Sequence, residues 1–211
     1  MRLGIFGGTF DPIHYGHLLL AETAREQCAL DEIRFIPAAV SPHKKAQVSQ
    51  SQKHRLEMIR LAIGGHPQFT LSTREIERGG VSYTVETLEE LHQENPDAEL
   101  FFLVGADILP QFSTWHQPKR ICELTTLIVG QRPYHQENDL GEFLKNYWKE
   151  DRPETIREIQ VDNPAFGISS REIRQRIAEG RSIRYRTPRA VEIYIETHQL
   201  YQSEQGQREK E

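Results

Sequence analysis

The sequence predicts an α/β protein: a doubly wound parallel sheet finished by C-terminal helices. Three observations carry that expectation. Short apolar runs alternate with segments of helical apolar spacing along most of the chain. One run, Leu100-Phe101-Phe102-Leu103-Val104, is apolar at every position, as suits a strand buried on both faces. The first run, ending at Gly4-Ile5-Phe6, is broken at once by Gly7-Gly8, and a helical stretch follows.

The elements follow in order. Gly16 to Cys28 is helical, with Leu18, Ala21, Ala24 and Cys28 on the inner face. Ile33 to Pro37 is the second strand, and the polar stretch Ala38 to Ser51 is irregular. Leu56, Ile59 and Ile63 mark a helix that Gly64-Gly65 stops. Phe69 to Ser72 is a strand, after which Ser82 or Thr84 opens a helix carried by Val85, Leu88 and Leu91. Pro118 suits the first turn of a helix through Ile121, and Leu127-Ile128-Val129 is the next buried strand. Leu140, Phe143, Leu144 and Tyr147 have helical spacing, and Ile156 to Val161 is the last strand. Ser169 with Glu172 reads as a capping box, with Gly180 as the stop. Thr187-Pro188 opens a final helix with Val191 and Ile195 inward. Residues 1–202 are expected to form a single domain, and the polar tail 203–211 to be disordered.

Composition narrows the function classes. The 211 residues are 37% hydrophobic and 27% charged, the balance of a soluble globular protein. No apolar run approaches the roughly 20 residues that span a bilayer, and no signal-peptide core follows Met1. A cytoplasmic protein without membrane attachment is expected, with Cys28 and Cys122 as reduced core thiols. A net charge of -5 argues against a broad nucleic-acid surface. Seven arginines nevertheless fall between Arg171 and Arg189, either serving a compact anion or coating a solvated helix face. A homo-oligomer is compatible with the sequence.

Chemistry concentrates first in Gly7-Gly8-Thr9-Phe10-Asp11-Pro12-Ile13-His14-Tyr15-Gly16-His17. Glycines let the backbone turn tightly and bring amide N–H groups close to a ligand. The helix behind points its positive end at the same place, so phosphate is the natural occupant. His14 and His17 stand three apart and project to one spot at a helix start, where imidazoles can donate to phosphate oxygens. On spacing alone the pair could equally be metal ligands or solvated. A second anion site is readable at Ser169, Ser170 and Arg174: a hydroxyl, a helix N-terminus and a guanidinium within one turn.

The first segment resembles the His-x-Gly-His signature of the nucleotidyltransferase superfamily related to class I aminoacyl-tRNA synthetases. Within it, the chain resembles bacterial nicotinate-nucleotide adenylyltransferases. Ser41-Pro42-His43-Lys44 is similar to the family's Pro-Pro-His-Lys, with serine for the first proline. Ser82-Tyr83-Thr84, Gly105-Ala106-Asp107, Trp115-His116, Gln131-Arg132-Pro133 and Ile168-Ser169-Ser170-Arg171-Glu172-Ile173-Arg174 match further segments in order and spacing.

The resemblance implies a Rossmann-like fold. It also implies transfer of the adenylyl group of ATP to nicotinate mononucleotide, with Mg²⁺ arriving on ATP and no protein metal cage. It implies that Gly7, Gly8, Thr9, Phe10, Gly105, Asp107, Ile168, Ser169 and Ser170 hold ATP. His14, His17, Lys44 and Arg174 are the implied catalytic groups; Tyr83, Thr84, Trp115 and Arg132 the implied mononucleotide site. From local sequence Asp107 fits a helix cap as well as a ribose partner, and Trp115 fits ordinary packing as well as stacking. Arg171 stands where the family usually has a small hydroxyl residue and reads as a phosphate contact or a surface charge. Nicotinamide mononucleotide as acceptor, a non-catalytic nucleotide sensor and a metallohydrolase are the competing readings.

Overall fold

The computed structural model describes residues 1–42, 50–105, 108–130, 158–161 and 167–202. Its strands are β1 (Arg2–Gly8), β2 (Glu32–Pro37), β3 (Phe69–Leu71), β4 (Glu99–Gly105), β5 (Thr126–Gly130) and β6 (Glu158–Val161). All neighbours pair in parallel, in the order β3-β2-β1-β4-β5-β6. The chain moves outward from β1 to β3, then returns to lay β4 on the other side of β1. The direction of winding therefore reverses between β1 and β4, which opens a crevice at the carboxyl ends of those two strands.

The helices are α1 (Tyr15–Gln27), α2 (Gln52–Ile63), α3 (Arg74–Arg78), α4 (Thr84–Glu94), α5 (Leu109–Phe112), α6 (Pro118–Leu124), α7 (Ser170–Ala178) and α8 (Arg189–Thr197). The period-two alternation of strand side chains divides them into two layers. On one face Leu3, Ile5, Phe102, Val104 and Val129 pack with Val85, Leu88 and Leu91 of α4 and Ile121 of α6. On the other, Phe6, Phe35, Leu103 and Ile128 pack with Ala21 and Ala24 of α1, Met58 and Ile59 of α2, Ile173 of α7 and Ile195 of α8. Covering both faces is what makes the central strands apolar throughout. Each fully buried valine, leucine, isoleucine, phenylalanine or methionine among them contributes about 1.5–3 kcal/mol by leaving water.

Several local expectations are corrected. α3 and α5 were not expected: α3 is five residues of mostly charged sequence whose buried member is Glu75, and α5 is a single turn. Neither is long enough to show an apolar period. The N-cap of α4 is Tyr83, not Ser82; the Ser82 hydroxyl instead accepts from the Ala39 N–H at 2.9 Å. Only half of the capping box forms on α7: Ser169 Oγ accepts from the Glu172 N–H at 3.1 Å, but the Glu172 carboxylate pairs with Arg186 at 3.2 Å. The helical spacing at Leu140 to Tyr147, the first residues of the strand expected from Ile156, and the tail 203–211 lie outside the described residues.

Cys28 and Cys122 are buried on opposite faces of the sheet and are not joined in a disulfide, and burial pushes the Cys28 thiol up from its ordinary value. No helix among the described residues is long and apolar enough to cross a membrane.

Candidate functional site

The crevice at the β1–β4 reversal is a cleft of about 520 Å³. Its floor is the carboxyl ends of the central strands, with Gly7 and Gly8 of β1, Val104 and Gly105 of β4 and Gly130 of β5. Small residues there leave room for a ligand over the strand ends. A Cβ on Gly8 would meet the Phe10 ring at 3.0 Å, so the turn closes only with glycine or a shifted phenylalanine.

The turn after β1 is held by side chains distant in sequence. Arg55 donates to the Thr9 carbonyl at 2.9 Å, Arg174 to that of Asp11 at 2.7 Å, Ser170 to that of Pro12 at 2.8 Å and Thr187 to that of Ile13 at 2.8 Å. With these carbonyl oxygens occupied, the turn is a fixed platform rather than a loose loop. Phe10 is buried at a φ of 49°, a conformation that side chains rarely adopt and that this packing holds in place.

His14 caps α1 and is 2% exposed. The His14 and His17 rings stack with centroids 3.7 Å apart and planes at 24°, so the two imidazoles meet as the three-residue spacing predicts. The His14 N–H donates to His17 Nδ1 at 3.2 Å. A neutral imidazole that accepts at Nδ1 carries its proton on Nε2, which makes His17 a donor at its other end.

The segment expected to form a second anion site faces the same cleft. Ser169, Ser170, Arg171 and Arg174 all line it, with Ile168 beside them. The first amides of α7 lack helical partners by construction, and their partial positive charge adds to the Arg174 guanidinium. Ser170 and Arg174 also donate to carbonyls of the glycine turn, so the two anchors are stitched into one unit. Arg171 lines the cleft while remaining largely exposed. The arginine cluster divides accordingly. Arg181 pairs with Glu179, Arg184 and Arg189 with Glu192, and Arg186 with Glu172, while Arg176 donates to the Ser182 carbonyl.

Tyr83, Thr84, Trp115 and His116 also line the cleft. The Tyr83 and His116 rings lie 4.7 Å apart. Trp115 is half-buried, with Phe112 at 5.5 Å and Phe102 at 6.0 Å. It both packs on the core and presents a surface to the cleft. Among the described residues no side chain caps the N-terminus of α4, where Tyr83 and Thr84 sit. Lys44, Asp107 and Arg132 lie outside the described residues.

Three charged residues at the cleft or holding its glycine turn escaped the sequence reading. Glu75 lines the cleft nearly buried, its carboxylate accepting from Thr87 at 2.7 Å. Asp11 is buried and accepts from the Tyr201 hydroxyl at 2.7 Å. Arg55 is 1% exposed. Its signal was available: it shares the inner stripe of α2 with Met58 and Ile59, where an unpartnered cation would be costly. Burial draws the Arg55 guanidinium below its ordinary value, against the charge of Asp11.

A cleft lined by a glycine turn, a histidine pair, a helix N-terminus with Arg174, and aromatic side chains has the chemistry to take a nucleotide and a flat-ringed second molecule. The cytidylyltransferase-like family matches residues 5–176. A protein of Thermomicrobium roseum named probable nicotinate-nucleotide adenylyltransferase is 45% identical over 202 residues, covering 96% of this chain and 92% of that protein. Its namesake in Thermus thermophilus is 46% identical over 201 residues, covering 95% and 100%. The chain belongs to the nicotinate-nucleotide adenylyltransferases. It is therefore a nucleotidyltransferase enzyme. The fold recurs in the nicotinic acid mononucleotide adenylyltransferase of Plasmodium falciparum, solved in complex with NaAD. That structure has a TM-score of 0.76 at 18% identity, over 95% of this chain and 97% of that one. As a nicotinate-nucleotide adenylyltransferase, this chain keeps its glycine turn, histidine pair and α7 terminus on one side of the sheet, around one cleft.

Proposed function

We propose that this cleft is where the chain performs its family's reaction. The 5′-phosphate of nicotinate mononucleotide attacks the α-phosphorus of ATP in line. The bond to the β-phosphate oxygen breaks, giving nicotinate adenine dinucleotide and pyrophosphate, a step of NAD biosynthesis. No covalent enzyme intermediate is needed, so catalysis rests on alignment and on stabilising charge. The observation that carries the reading is the joining of the two anion anchors through Ser170 and Arg174.

In this reading Gly7, Gly8, Thr9 and Phe10 seat the ATP phosphates, and the His14–His17 pair donates to the reacting group. Ser169, Ser170 and Arg174 hold the β- and γ-phosphates, where charge accumulates as pyrophosphate leaves. The Ser169 hydroxyl accepts from the Glu172 N–H, which leaves its own proton for a phosphate oxygen. Gly105, Ile168 and Asp107 border the nucleoside; Lys44 closes over the phosphates and Arg132 meets the mononucleotide phosphate. Among the described residues no three His, Cys, Asp or Glu side chains are grouped to hold a metal ion. Mg²⁺ is assigned to ATP because the triphosphate carries it, and there it neutralises phosphate charge. We read residues 1–202 as one domain working in the cytoplasm.

Tyr83, Thr84 and Trp115 form the acceptor end. Trp115 offers an aromatic face to the electron-poor pyridine ring. The amides at the start of α4 favour a carboxylate over a carboxamide, which supports nicotinate over nicotinamide mononucleotide. Pyrophosphate release with the two mononucleotides competing at equal concentration tests this. Preferential consumption of nicotinate mononucleotide is expected; a clear preference for the amide overturns the assignment, and nucleotide binding without release favours a sensor.

Trp115→Ala is expected to raise KM for nicotinate mononucleotide by roughly 5- to 150-fold, the range of losing one base–aromatic stack. The ATP affinity should change little. Steady-state kinetics with each substrate varied in turn checks this, and an equal loss for ATP would put the acceptor elsewhere.

A further inference from the structure

The glycine turn contains a buried carboxylate, an unexpected neighbour for a triphosphate. Asp11 is 2% exposed, and like charges in one cleft repel unless one is neutralised locally. Its partner comes from the far end of the chain: Tyr201 donates its hydroxyl to Asp11 Oδ1 at 2.7 Å. Burial, reinforced by the Asp11 charge, pushes the Tyr201 phenol well above its ordinary value, so the tyrosine stays a donor at any working pH. Arg55 lies on the same side of the turn, and its charge acts on both Asp11 and Tyr201. Its Nη1 holds the Thr9 carbonyl, while its Nε makes no hydrogen bond among the described residues.

The consequence for geometry is direct. Asp11 is fixed at both ends, its carboxylate by Tyr201 and its carbonyl by Arg174. Phe10, immediately before it, is the residue held at a φ of 49°. The peptide units that line the phosphate end of the cleft are thus set by a residue 190 positions away in sequence. We propose that Tyr201 is a positioning residue for the phosphate turn, acting through Asp11, so that the C-terminal end of the described chain is part of the ATP site. This rests on the assignment of the turn to ATP.

Tyr201→Phe tests it, because the ring keeps its packing and only the hydroxyl goes. The full chain is titrated with ATP by calorimetry and assayed with each substrate varied. The expected result is a roughly tenfold loss of ATP affinity and of kcat/KM for ATP, with KM for nicotinate mononucleotide unchanged and the melting temperature within a few degrees of the parent. Asp11→Asn is measured alongside, alone and combined with Tyr201→Phe. If Tyr201 acts through Asp11, the double variant binds ATP no worse than the weaker single variant. Independent, multiplying losses overturn the proposal, as do equal losses for both substrates or unchanged kinetics in Tyr201→Phe. If that variant does not fold, Asp11→Asn decides alone: an unchanged ATP affinity overturns the proposal and a selective loss upholds it. A parent that binds ATP and releases pyrophosphate while Tyr201→Phe is silent removes this inference only; a parent that binds no ATP removes the assignment of the turn as well.

Discussion

Replacing His17 by alanine is expected to lower kcat by roughly 10²- to 10³-fold, the loss typical of removing one preorganised donor from a developing anion. The expectation follows from the proton inventory of the ring. Its Nδ1 is taken by the His14 backbone N–H, so the neutral ring carries its proton on Nε2, and His17 is one of the residues lining the cleft. Alanine also removes edge contacts to Phe10 and Phe6 at 5.0 and 5.9 Å and the acceptor for the His14 amide. Losing such a cap costs about 1 kcal/mol, which lowers the melting temperature of a chain this size by roughly 2–4 °C. Turnover and thermal melts measured on the same preparation separate the two effects. A few-fold loss of kcat with a large drop in melting temperature would make His17 a packing residue.

Gly16→Ala is expected to lower kcat/KM by roughly tenfold without lowering stability. Gly16 is the second residue of α1, where alanine is the better helix former by up to about 1 kcal/mol. An added methyl, however, would meet the His14 ring at 3.0 Å and the Ile168 carbonyl at 3.5 Å. The Ile168 contact is ordinary, so the His14 ring is the group that must give, by a few tenths of an ångström. A displacement of about 1 Å at a reacting centre costs about a hundredfold, so a shift of part of that distance costs roughly tenfold. Activity and stability should therefore move in opposite directions. Full activity at an unchanged melting temperature would show that this close approach has no part in catalysis.

Much of the fold was legible because it rests on short-range pattern. The unbroken apolar run of β4, the glycine break after β1 and the helical stripes of α1, α2 and α4 each report burial directly. What the pattern could not supply was the content of short charged segments. α3 has no apolar period, yet it delivers Glu75 to the cleft. The capping box at Ser169 was half right, because Glu172 finds Arg186 across the α7–α8 connection and no local rule foresees that competition.

The site divides in the same way. Residues that touch the cleft stand in compact motifs: Gly7 to Asp11 with His14, Gly16 and His17, then Tyr83-Thr84, Trp115, and Ile168 to Arg171 with Arg174 all line it. The supporting groups do not announce themselves. Arg55, Thr187 and Tyr201 reach the glycine turn over 46, 174 and 190 residues of sequence. Their meeting is a product of the folded sheet, on which α2 and the C-terminal helices share one face. The arginine cluster required the same information: only coordinates separate Arg171 and Arg174 at the cleft from neighbours committed to glutamates.

A structure of the chain with a non-hydrolysable ATP analogue and nicotinate mononucleotide tests the central claim most directly. The predicted result is one triphosphate touching both the Gly7–Phe10 turn with His17 and the Ser169–Arg174 segment, with the pyridine ring against Trp115. A triphosphate that engages one anchor while the other lies more than a hydrogen bond away would contradict it.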